Sequence, residues 1–203
     1  MDARVETALD EIEIANLLVR WGHARDGDHW DVLADCFHDE ATIHISWISS
    51  NAKEFVKRSA AQVPDRAPGE HTKHAIGGPW IEVNGDKAFS RCHVRLFIRN
   101  YLDGYEFDME VWFRFLDLLE KRDGVWRILK RTAVYEKDRM DAVEPYKVPT
   151  SYFEDVNLDD YVSACKWLCF RLHKRLRPPV SDIVSVYSDE EKALIAEGKA
   201  WVA

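Results

Sequence analysis

The chain has 203 residues, of which 46% are hydrophobic and 12% aromatic, ample material for a core and incompatible with wholesale disorder. A net charge of −8 with no dense Lys/Arg run excludes general nucleic-acid affinity. No apolar stretch is long enough to span a bilayer, and the acidic start MDARVETALDEIE lacks a basic region followed by an apolar run, so neither a membrane partner nor a signal peptide is expected.

Residues 5–26 and 29–38 are predicted as two helices. Ile14, Leu17, Leu18 and Trp21 give the first an apolar face. Gly27 ends it, and Asp28 is the predicted N-cap of the second. The segment 41–48 alternates as a strand, with Ala41, Ile43, Ile45 and Trp47 on one face. A short helix over 52–62 is closed by Pro64, and a strand begins near Thr72. Three turn signals follow, at Asn84-Gly85, Asp103-Gly104 and Asp123-Gly124. Such pairs favour the primed turns that join antiparallel strands, so a four-strand meander is predicted from PWIEV to VWRILKRTAVY. In 88–98 the set Ala88, Ser90, Cys92, Val94, Leu96 and Ile98 is predicted to face the helices. Helices followed by this meander make an α+β fold, with a main domain over 1–140.

Residues 141–203 are predicted as a C-terminal helical extension. Its helices, 159–176 and 188–202, are separated by Pro178-Pro179. Trp167, Phe170 and Trp201 carry too much apolar surface to leave in water, so the extension should cover the pocket mouth or a neighbouring sheet. The basic run from Arg171 to Arg177 reads as a solvated helix face. Cys36, Cys92, Cys165 and Cys169 form no CxxC pair and suit a reducing, cytoplasmic compartment.

Asp26 stands out. At a helix C-terminus the macrodipole disfavours a carboxylate by roughly 0.3–1 kcal/mol, so an inward-pointing Asp26 needs a partner. His74, in Glu70-His71-Thr72-Lys73-His74, shares a strand face with Thr72 and Ile76 and is the best candidate. The residues alone leave open an ordinary buried histidine bonded to a backbone carbonyl. His71 and His74 face opposite ways and no HxH or HExxH occurs, so no metal is expected; no cofactor motif occurs either, since Gly77-Gly78 lacks the context of a phosphate loop.

RWGHARDGDHWDVL, FHDEATI, KHAIGGPWIEVNGDKA and GVWRILKR together resemble the SnoaL-like branch of the nuclear transport factor two-like superfamily, over roughly residues 8–137. The resemblance implies a cone-shaped α+β barrel. In that branch scytalone dehydratase and hexachlorocyclohexane dehydrochlorinase pair an Asp after the first helix with a His on a strand, and the matching residues are Asp26 and His74. A pocket arginine five positions after Trp126 falls on Arg131. Other family positions differ: Arg25 precedes Asp26, Ile98 stands where a second catalytic His is found, and Trp21 replaces a lysine.

The expected activity is therefore a cofactor-independent lyase on a small apolar, aromatic molecule. His74 is the general base, Asp26 its orienting partner, and Arg131 an anion-binding group. Water, halide or a small carbonyl fragment would leave. The pocket wall is assigned to Trp21, Ile43, Trp47, Thr72, Ile76, Leu96, Ile98 and Tyr135. A ketone isomerase with Asp26 as direct base and a non-catalytic ligand-binding module are the alternatives. The arginine-rich outer sheet face, with Phe89 and Phe97, leads to the expectation of a homodimer or homotrimer.

Overall fold

The computed structural model describes residues 2–154 and 156–203. The first helix, α1 (Ala3–Asp26), is capped by the Asp2 carboxylate, which accepts from the Arg4 N–H. It buries Ile14, Leu17, Leu18 and Trp21, the face its periodicity marked. The second helix is shorter than expected, α2 (Trp30–Asp35), and His29 rather than Asp28 stands at its N-cap. Asp28 adopts φ 59° and is held instead by a two-pronged bond from Arg66, at 2.8 and 2.7 Å. A strong side-chain partner elsewhere removed the carboxylate from the capping role.

The predicted strand over 41–48 is two strands, β1 (Phe37–Ile45) and β2 (Ile48–Asn51), folded at Ser46-Trp47 into a hairpin. Helix α3 (Ala52–Ala60) follows directly, capped by Asn51. Then come β3 (His71–Ile76), β4 (Trp80–Asn84), β5 (Lys87–Leu102), β6 (Tyr105–Arg122) and β7 (Val125–Ala142). Both Asp-Gly turns have two positive φ angles, 52° and 89° at Asp103-Gly104 and 51° and 76° at Asp123-Gly124, the primed geometry that continues strand twist.

The sheet runs β2-β1-β7-β6-β5-β3, and β4 also pairs with β5 beside β3. It is mixed, because β1 lies parallel to β7 while the meander is antiparallel. Its path does not close, so the α+β architecture is an open cone and not a full barrel. Ala88, Ser90, Cys92, Val94 and Ile98 are buried and Leu96 is half-buried, as the alternation of β5 predicted. They pack with α1 around Trp21, Phe55, Phe113 and Phe115 in one continuous core.

The extension is built into this body. Strand β7 runs two residues past the expected boundary at 140. Residues 159–165 are turns and a 3-10 segment, so the helix predicted from 159 begins later, as α4 (Lys166–Lys174). Asp138 of β7 accepts from the Leu168 N–H at 2.7 Å in its first turn. Cys165, Leu168, Cys169 and Leu172 join the same core as α1. The chain then crosses to the other face of the sheet, where β8 (Val184–Ser185) pairs parallel to β7. Helix α5 (Asp189–Trp201) closes over Phe89, Leu116 and Val134. A Cβ at Gly198 would sit 2.4 Å from the Phe89 ring, so only glycine lets α5 lie this close. The extension thus covers both the pocket side and the outer face of its own sheet. No described helix is long and apolar enough to cross a membrane.

Candidate active site

The inner face of the cone and α4 border a cavity of about 90 Å³. A single water needs roughly 10–15 Å³ by the same measure, so the space suits a small organic molecule. His74 projects from β3 into it.

Asp26 and His74 meet. The His74 backbone N–H donates to Asp26 Oδ2, and the ring Nδ1 is bonded to Asp26 Oδ1, both at 2.6 Å. A carboxylate only accepts, so the imidazole carries its proton on Nδ1 and leaves the Nε2 lone pair free. Among the described residues no protein group bonds to Nε2. The two donors answer the helix-end charge that the sequence left unresolved. Their approach depends on Gly22: a Cβ there would meet Ile76 Cγ1 at 3.0 Å and His74 O at 3.5 Å, pushing β3 away from α1. Trp21 packs edge-on to the imidazole, with ring centroids 5.3 Å apart. Burial holds the His74 pKa below its ordinary 6.5, although Asp26 pulls it the other way and Arg25 and Arg131 assist the depression. Burial thus favours the neutral ring.

Six of the eight residues assigned to the wall line the cavity: Trp21, Trp47, Thr72, Leu96, Ile98 and Tyr135. Ile43 and Ile76 do not. Ile43 is sealed in the core at 1% exposure, and Ile76 packs against α1 beside Gly22. Arg131 is also absent from the wall. It is 1% exposed and makes a two-pronged bond to Asp117 of β6, at 2.8 and 2.7 Å. Its guanidinium lies 4.4 Å from the centre of the Trp21 ring and 3.9 Å from that of Phe115, two rings that line the cavity where Arg131 itself does not. Its charge acts on His74 through space.

Several wall residues were missed from sequence. Phe113 and Phe115 follow from the alternation of β6. Arg171, placed on a solvated face by its basic neighbours, lines the cavity together with Leu168 and Leu172. The available signal was its place between Phe170 and Leu172, on the flank of the apolar stripe. Arg25, Gln62 and Arg177 complete the polar side of the mouth. Tyr135 OH accepts from the Ser46 N–H at 3.0 Å, and burial raises its pKa well above the phenol range, so it stays protonated. Among the described residues no group of three or more His, Cys, Asp or Glu is arranged to hold a metal.

The model of the SnoaL-like domain family matches residues 6–132, most of the chain. The chain belongs to the SnoaL-like family. Pea pathogenicity protein 2 of Fusarium vanettenii is 30% identical over 166 residues, covering 80% of this chain and 69% of that protein. Two solved structures share the fold at 17% identity. One is a type 2 hexachlorocyclohexane dehydrochlorinase, with a TM-score of 0.61 over 69% of this chain and 94% of that one. The other is a putative scytalone dehydratase from Novosphingobium aromaticivorans, with a TM-score of 0.57 over 66% and 90%. Within this SnoaL-like chain the core fold carries Asp26, His74 and most of the wall, and the extension adds Leu168, Arg171, Leu172 and Arg177.

Proposed function

We propose that this SnoaL-like protein is a cofactor-independent lyase. The observation that carries the reading is an imidazole with its Nδ1 bonded to a carboxylate and its Nε2 free inside an aromatic cavity. His74 Nε2 removes a proton from a carbon next to an activating carbonyl. The C–H electron pair becomes the new double bond, and the bond to the β-substituent breaks with its electrons leaving on that group. Tyr135 O–H donates a hydrogen bond to the departing halide or hydroxyl oxygen, a hydroxyl leaves as water with the proton returned by the imidazolium, and Asp26 stabilises that imidazolium while it lasts. The dehydrochlorinase and the putative dehydratase that share the fold support elimination as the reaction class. Asp26 as direct base has less support, because both of its oxygens are occupied by His74 and it does not line the cavity.

The test is elimination from a panel of aromatic β-hydroxy and β-halo carbonyl compounds, followed by mass spectrometry. His74→Ala is expected to lower turnover on any substrate found by on the order of a hundredfold or more. Only the neutral ring accepts a proton, so wild-type activity should fall at low pH, with its acid limb below 6.5. Equal turnover by His74→Ala, or no elimination across the panel, would refute the reading.

The uncovered part of the outer sheet face carries Trp80 and Phe97, exposed by 63% and 38%, beside arginines. We propose a homodimer or homotrimer through this patch. Sedimentation should give that mass, and a monomer at micromolar concentration would rule it out.

A further inference from the structure

Two adjoining cavities share the wall formed by Arg25, Gln62, Thr72, Arg171 and Arg177. Six arginines gather there, and four have carboxylate partners. Arg66 bonds to Asp28, Arg99 to Asp108 and Glu106, Arg175 to Glu70, and Arg177 to Asp65. The remaining two differ. Among the described residues neither Arg25 nor Arg171 makes a side-chain hydrogen bond or an ion pair, while Arg25 Nη1 and Arg171 Nε are closed to solvent with no partner at all. Asp26 and Asp28 lie near Arg25, but each is already bonded, to His74 and to Arg66. Among the described residues, the acids that line the second cavity with Arg171 are Asp65 and Glu70, and each is paired, with Arg177 and Arg175. Burial, reinforced by Arg177 and Arg25, draws the Arg171 pKa down to about 10.

A half-buried guanidinium whose inner nitrogen is shut off from water and has no hydrogen-bond partner is costly, so two at one wall of a cavity need an explanation. The other cavity walls, with Trp47, Phe55, Leu96, Ile98 and Phe113, offer no charge of either sign. We propose that Arg25 and Arg171 form a subsite for a carboxylate carried by the substrate, whose apolar body fills the aromatic part of the cavity toward His74. The proposal builds on the lyase reading by naming its substrate class as an aromatic or alicyclic acid. A planar carboxylate matches the guanidinium fork, and a single negative charge suits a site where Asp26 and Asp28 already offset part of Arg25. The same pair would reject a neutral analogue, whose binding leaves both cations dry and unpaired.

Calorimetric titration and thermal melting of the full chain with benzoate, benzamide and inorganic phosphate, at constant low ionic strength, test this. Benzoate should raise the melting temperature and bind at least tenfold more tightly than neutral benzamide. Arg171→Met should melt higher than wild type without added anion, because a buried unpaired charge is gone, and should lose tenfold or more in benzoate affinity. Arg171→Lys should be intermediate, and it provides the comparison if the methionine variant does not fold. His74→Ala should keep the benzoate affinity, which separates this subsite from the base. Equal binding of benzoate and benzamide, no binding of either, or an Arg171→Met variant that melts lower would overturn the proposal. Tighter binding of phosphate than of benzoate would overturn the assignment to a carboxylate.

Discussion

Asp26→Asn is expected to abolish most turnover while the protein stays folded, with a loss on the order of a hundred- to ten-thousandfold. The reason is the pair of donors that Asp26 accepts, the His74 N–H and Nδ1–H. An asparagine has one acceptor and one donor end. If its oxygen faces the backbone N–H, its NH₂ group faces Nδ1, drives the ring proton to Nε2 and removes the base's lone pair. If it is turned round, two N–H groups confront each other at the backbone and β3 is pushed from α1. Either orientation disables the ring while the core around Ile14 and Phe115 remains. Asp26 also raises the His74 pKa, so the residual activity should have its acid limb at lower pH than wild type. Circular dichroism with kinetics checks both parts; near-normal turnover with an unchanged limb would remove Asp26 from the mechanism.

The second large effect is on stability. Arg131→Met should destabilise the fold by about 3–5 kcal/mol, since it leaves Asp117, 0% exposed, as an uncompensated buried charge. Replacing both partners, as Arg131→Met with Asp117→Leu, should recover much of that loss. Denaturant melts of the two singles and the double decide it. Where the single variant still folds, His74 loses a nearby positive charge, so its pKa rises and the acid limb of activity moves up. A catalytic arginine would instead lower turnover at every pH and leave the melt unchanged.

Why Arg131 misled the sequence reading is instructive. The Asp123-Gly124 turn sets Arg122 opposite Val125 and Leu119 opposite Ile128, a count that would place Asp117 opposite Lys130. An irregularity between Leu118 and Leu119 shifts the register by one, and Asp117 comes to face Arg131. A one-residue shift exchanges sheet faces, and nothing local in the sequence announces it. The meander itself was readable because Asp-Gly turns and period-two alternation are local properties. The Asp26–His74 contact was readable for a different reason: a carboxylate at a helix end is a visible imbalance, and the family pattern named its partner. The unpaired state of Arg25 and Arg171 was not, because it depends on which of the neighbouring acids are already taken. Asp28 by Arg66 and Asp65 by Arg177 are matches between segments far apart in the chain.

The match to the family ends at residue 132, whereas Tyr135, Leu168, Arg171, Leu172 and Arg177 lie beyond it. The Asp26–His74 contact and the far side of the cavity are therefore written in separate stretches of the gene. Substitutions or exchanges within 159–177 are expected to alter what the cavity admits without disturbing the contact between α1 and β3. A lineage with this arrangement can explore new substrates by drift in one stretch while selection holds the other fixed.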